Sequence, residues 1–199
     1  MGLLHPARPL RSHIVAVAVV LQVLALIGLP LNAAGADAAS GGPAREYEIK
    51  AAFLYNFTKF IEWPAHSFAD AGAPIVIGVL GDSPCTEALQ RLVKDRKVNG
   101  RAIVVRRIAS GQEAQATHLL FVGSEQEAQF AGLQPAIELL PILTVGETPG
   151  FPILGGAIEF VPQGDKLRFE INIGVAERAG LKISAQLQKL ATVIRRGPT

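Results

Sequence analysis

Cysteine occurs once in the 199 residues, at Cys85. A single cysteine closes no internal disulfide and cannot build a multi-cysteine zinc or iron–sulfur site. Histidine is scarce as well: His5, His13, His66 and His118 stand alone, without the spacing of metal ligands. An excess of either charge sign is missing, since 19 Lys+Arg face 17 Asp+Glu for a net charge of +2. No basic excess exists to neutralise a phosphate backbone, so nucleic-acid binding has no electrostatic footprint and no nucleic-acid partner is expected. The phosphate-cradling G-x-x-x-x-G-K-[ST] loop is absent, and Gly78-x-x-Gly81 is too short for a dinucleotide fingerprint. The glycine-flanked Ser110 lacks the G-x-S-x-G elbow of a serine hydrolase. No catalytic set, metal site or cofactor is expected, and the chain is expected not to be an enzyme. Internal repeats, low-complexity tracts and a mid-chain linker are also lacking.

The chain is instead rich in apolar residues, at 49% against 18% charged, which excludes a disordered polymer. Part of that apolar content sits at the N-terminus. Arg8 and Arg11 precede a run from Ile14 to Leu29 in which Gln22 is the sole polar side chain, and Pro30 ends it. Small residues follow, with A-x-A-like sites at Ala34-Gly35-Ala36 and Ala36-Asp37-Ala38. This is the order of a secretory signal peptide, so residues 1–36 are expected to be removed near Ala36 or Ala38 and the protein to be periplasmic. The rival is a retained anchor; the run is a little shorter than the ~20 residues of a spanning helix, and the cleavage pattern favours removal. No cysteine follows the run, so a lipid anchor is discarded. Arg8 and Arg11 leave with the signal and no acid does, so 17 bases then face 17 acids. The expected product has a flexible N-terminus over 37–44 and one domain over 45–196.

That domain reads as α/β. Tyr47, Ala51, Leu54, Phe57 and Ile61 recur at helical spacing, predicting a helix over 45–62 that Trp63-Pro64 ends. Phe53 and Phe60 widen the stripe, and these phenylalanines read as core. Ile75–Leu80 is an unbroken apolar run, the mark of a strand buried on both faces. Ser83-Pro84 opens a helix to about Val93, Asn99-Gly100 marks a turn, and strands follow at 102–108 and 119–122. Ser124 and Glu127 have capping-box spacing, predicting a helix to about Leu133, and 141–145 reads as another strand. Residues 157–161 and 167–173 alternate apolar and polar residues, as a hairpin with one wetter face does, and a last helix is expected over 183–195. The sum is a mostly parallel sheet flanked by helices, with an antiparallel C-terminal hairpin and a final helix.

Three strand ends share a pattern: Gly81-Asp82-Ser83, Gly123-Ser124-Glu125 and Gly146-Glu147-Thr148. In open α/β sheets ligands bind beyond the carboxyl ends of the strands. These turns are candidates for one cleft, and their acids disfavour a phosphate-rich ligand. Glycines and capping residues also end strands without any ligand. Cys85 lies near a helix start, where a thiolate is stabilised. Gly155-Gly156 suggests a tight turn, while Glu170 and Asn172 share one strand face. The candidate partner- or ligand-binding set is thus Asp82, Ser83, Ser124, Glu147, Gly155, Gly156, Glu170 and Asn172.

The segment from Tyr47 to Pro64 resembles the opening helix of the YfiR-like family of bacterial periplasmic proteins. Leu80-Gly81-Asp82-Ser83-Pro84, Gly155 to Phe160, Arg168 to Asn172, and Gly180 to Ser184 through Leu187 to Leu190-Ala191 fit the same family in the same order. The resemblance implies a periplasmic repressor that binds the sensor part of an inner-membrane diguanylate cyclase or another membrane sensor protein, lowering cyclic di-GMP and biofilm formation. Well-known relatives carry cysteine pairs that make them redox-responsive; with Cys85 alone, an internal disulfide switch is impossible in this chain. A small-molecule ligand, an intermolecular Cys85 bridge and a homodimer remain open as other routes of control.

Overall fold

The computed structural model describes residues 42–192, 194 and 195. The signal segment 1–36 and its cleavage sites lie outside the described residues. The first helix, α1 (Pro43–Phe60), starts with proline in its first turn and so begins two residues ahead of the expected 45. A short strand β1 (Ile61–Glu62) follows directly, because Trp63 precedes Pro64 and the chain must leave helical geometry there.

The central strands then appear in order: β2 (Ile75–Leu80), β4 (Arg101–Ile108), β5 (Leu119–Val122), β6 (Leu143–Gly146) and β7 (Ile158–Gln163). They lie side by side, all parallel, as β4-β2-β5-β6-β7. This is a doubly wound order with its switch point between β2 and β5. β3 (Lys97–Val98) pairs antiparallel with the start of β4 through the Asn99-Gly100 turn, where φ of 50° and 81° gives the twist a tight hairpin needs. β8 (Lys166–Asn172) pairs antiparallel with β7, as the alternating pattern predicts.

Helix α2 (Pro84–Val93) starts where expected: Ser83 Oγ accepts the Cys85 N–H at 3.2 Å. The expected capping box at Ser124 does not form. Residues Ser124–Gln126 make a 3₁₀ turn without a side-chain cap, and α4 (Glu127–Ile137) runs through Pro135 beyond the predicted Leu133. Three shorter helices also lie among the described residues: α3 (Gly111–Gln115), α5 (Ile173–Arg178) and α6 (Ala185–Leu190).

The final helix is shorter than the expected 183–195. Ile183 belongs to β9 (Lys182–Ile183), paired with β1, and Ser184 caps α6. Helix α6 stops at Leu190 because β8 still has an open edge. The Thr192 N–H donates to the Phe169 carbonyl at 2.9 Å, and β10 (Ile194–Arg195) adds to β8 as a parallel strand.

Two apolar layers cover the sheet. Ile77, Val79, Phe121, Val145 and Phe160 face α1 and α2. Leu80, Ile108, Leu120 and Val122 face α4 and Phe151. The α1 side carries an aromatic cluster, with Phe57 5.2 Å from Phe169 and 5.9 Å from Phe160, and Phe53 5.9 Å from both. Phe57 is core, as the stripe predicts, while Phe53 and Phe60 are half-buried and pack against that core. Asn56 is half-buried, and Thr58 is buried, its hydroxyl donating to the Tyr55 carbonyl at 2.6 Å. Among the described residues no helix is long and apolar enough to cross a membrane.

Candidate functional site

Register brings the three glycine-ended turns to one level. Leu80 sits beside Val122, and Val122 beside Gly146, so Gly81, Gly123 and Glu147 leave the same edge together. The next strand continues the row: Glu159 stands beside Gly146, and Glu170 opposite Glu159. Because β7 enters only where β6 ends, its hairpin with β8 overhangs this edge.

Glu147 is the hub of the edge. Its Oε1 accepts the Ser124 N–H at 3.0 Å, and its Oε2 accepts from the Lys50 ammonium of α1. Lys50 also pairs with Glu46 at 2.6 Å and sits 4.9 Å from the Tyr47 ring. The Lys50 and Glu147 side chains are 6% and 12% exposed, so water screens the pair little. Burial pulls the Lys50 pKa down, yet the hydrogen bonds and charges of Glu147 and Glu46 outweigh it and hold the ammonium above its usual value. Burial, then the Glu147 carboxylate, lifts the Tyr47 phenol above its ordinary range.

Cys85 draws no thiolate stabilisation from the start of α2 and is a bystander. Cys85 is fully buried under α1, and burial with the nearby Glu147 pushes its pKa up to about 12. Such a thiol is a small apolar core group. It is not placed to bridge a second chain.

The other candidates have structural work at this edge. Asp82 is exposed and 3.5 Å from Arg107, a pair open to solvent. Ser83 caps α2. Asn172 Oδ1 accepts the Val175 N–H at 3.2 Å and caps α5. Gly155 has a φ of 88°, in the left-handed region that favours glycine. Gly156 is small for a different reason: the Phe151 ring lies against it, and a Cβ there would fall 2.1 Å from that ring. Gly146 makes the same close approach, at 2.4 Å, so Phe151 is wedged between two glycines. Glu159 Oε2 accepts the Gly150 N–H at 3.1 Å, and Thr144 Oγ1 accepts the Ala157 N–H at 2.9 Å, which ties down the segment joining β6 to β7.

Three participants were not among the sequence candidates: Lys50, Tyr47 and Gln126. Gln126 fills the crevice at the switch point, lying so close to Gly81 and Gly123 that a Cβ on either would come within 2.9 Å and 3.1 Å of it. The turns therefore share an edge, but the crevice between them is occupied by this chain. A roomier hollow lies elsewhere, a groove of about 540 Å³ between the end of α2 and the outer strand β4, lined by Val93, Lys94, Arg96, Lys97, Ile103 and Val105.

At the opposite edge of the sheet His118 is embedded. Its Nδ1 accepts the Val76 N–H at 3.1 Å, which places the ring proton on Nε2, 3.1 Å from the Ser67 carbonyl. Phe68 stacks on it at 4.5 Å, and the Trp63 indole N–H donates to its carbonyl at 3.1 Å. Burial holds its pKa below the ordinary value near 6.5; the Ser67 bond opposes this and Arg101 adds to it. The role is structural. Among the described residues no cluster of three or more His, Cys, Asp or Glu could hold a metal ion.

Compared with known proteins, residues 47–192 match the model of the family described as YfiR/HmsC-like, a span that covers every strand from β1 to β9. No curated protein matches the chain.

Proposed function

We infer a regulatory role from the premise that the chain belongs to the YfiR/HmsC-like family. In this reading it is a periplasmic protein that binds and restrains the sensor part of an inner-membrane signalling enzyme, a diguanylate cyclase, and acts by binding rather than by catalysis. The family match over 47–192 carries the reading. Three further observations support it. The N-terminal 36 residues have the order of an export signal. The charged groups at the carboxyl edge are engaged with one another, as in the Lys50–Glu147 pair. The one thiol is buried and held protonated.

The test is a crosslinked pull-down of the tagged mature protein from its native membranes, with the captured proteins identified by mass spectrometry. Capture of a membrane diguanylate cyclase, together with a rise in cyclic di-GMP when the gene is deleted, is the expected result. Recovery of the protein alone, with unchanged cyclic di-GMP, would refute it.

The level register of the three turns favours a second reading, in which a small molecule binds the carboxyl edge after Gln126 swings out. A ligand screen read by melting temperature separates the two, since a ligand that binds the native state raises it by mass action. Under this reading Gln126→Ala empties the crevice and strengthens binding; a flat screen with both proteins removes it.

A further inference from the structure

Strand β4 closes one side of the sheet, and most of its outer edge is bare. β2 pairs with it along Ile103–Ile108, whereas β3 reaches only Arg101 and Ala102. The Ile108 carbonyl accepts the Gly81 N–H and so faces β2. By strand alternation the N–H and C=O groups of Ile103, Val105 and Arg107 point outwards. Among the described residues no strand pairs with them.

Natural proteins cover, shorten or charge such an edge, because it is a template for another strand. Here it is neither short nor covered, and the groove beside it is open. Its charge is mostly basic, with Asp95 in the rim and Asp82 beside Arg107 as the acids. Lys94, Arg96 and Lys97 rim the groove against Asp95 alone, and Arg106 and Arg107 are exposed further along β4. The domain without its signal is neutral, so this basic strip is a local concentration rather than an overall bias. A second copy of the chain is a poor occupant. Two β4 edges laid side by side would bring the basic residues of both copies onto one seam, and like charges so placed are unfavourable.

We propose that the outer edge of β4 and its basic groove dock an extended acidic segment of a partner protein, which adds to the sheet as a further strand. Backbone hydrogen bonds from Ile103, Val105 and Arg107 would hold the segment, and the lysines and arginines would select its charge. The proposal rests on the reading of the chain as a partner-binding regulator and names the surface that does the binding.

The probe is an N-acetylated, C-amidated peptide alternating Glu and Val, with a Lys–Val peptide as the control. Binding is read by fluorescence anisotropy, and its location by amide hydrogen exchange in the tagged mature protein. With peptide at about ten times its Kd, exchange at Ile103, Val105 and Arg107 slows about tenfold, and the Lys–Val peptide changes nothing. Val105→Pro removes the central outward donor at an edge position that tolerates proline, and abolishes binding. Should that variant fold poorly, Lys94→Glu with Lys97→Glu alters only exposed side chains, and it too abolishes binding. The proposal is overturned by no binding of the acidic peptide, by binding without protection of these amides, or by protection that arises from self-association without peptide. Equal capture of a membrane partner by the wild type and by the Lys94→Glu/Lys97→Glu variant would overturn this surface and leave the regulatory reading intact. Absence of capture by the wild type would overturn that reading and leave the peptide data to decide the surface.

Discussion

Removing one member of the Lys50–Glu147 pair strands the other charge where water scarcely reaches. Lys50→Met is therefore expected to cost about 3 kcal/mol, the lower end for breaking a buried ion pair. Adding Glu147→Gln removes the stranded carboxylate, and the double variant is expected to be more stable than Lys50→Met alone. Urea unfolding of the two single variants and the double variant measures this coupling; simple additivity would mean that the pair is energetically idle. His118 supplies the pH counterpart. Its native pKa lies below the ordinary value near 6.5, so the unfolded chain takes up the proton first as pH falls. The stability it contributes is complete above about pH 6.5 and shrinks as the pH drops towards the lower native pKa. Melting temperature should decline over that window in the wild type, and His118→Asn should flatten the decline whatever its own absolute stability.

At the scale of elements, the segment between β6 and β7 shows how one side chain can dictate its neighbours. Phe151 occupies the space that side chains at positions 146 and 156 would take. Gly156→Ala is expected to destabilise the fold by about 1–3 kcal/mol through forced displacement of that ring, as overpacking does. A melting temperature within a degree or so of the wild type would show that the segment yields freely. The elements that could be read from the chain are those whose cause is local. Ile75–Leu80 is apolar on both faces, Ser83-Pro84 both caps and starts α2, and Asn99-Gly100 suits a tight hairpin turn. Those that could not be read depend on distant partners. Strand β10 exists because β8 offers an open edge, and α3 is five residues long, too short to show a period. The capping-box reading at Ser124 failed because its backbone is claimed by Glu147, 23 residues away. Lys50 was invisible as a site residue for the same reason, since 97 residues separate it from Glu147. Of the candidate site, the turns were legible and the plug and clamp that occupy them were not.

Across the whole molecule the sheet is unevenly joined. β2 and β4 share six register pairs, and so do β7 and β8, whereas β6 and β7 share two. Cooperative units of a fold separate where few interactions cross. Native-state hydrogen exchange is therefore expected to show β7, β8 and α5 opening together at lower free energy than β2, β4 and β5. Uniform exchange across all of these strands would contradict the division. Helix α1 spans this seam. Through Lys50 it holds the end of β6, and through Phe53 and Phe57 it holds the hairpin. In mechanical terms α1 is a splint across a partial fracture. Loosening it would free the hairpin without unfolding the parallel strands, so a signal delivered to the first helix has a short route to the far edge of the sheet.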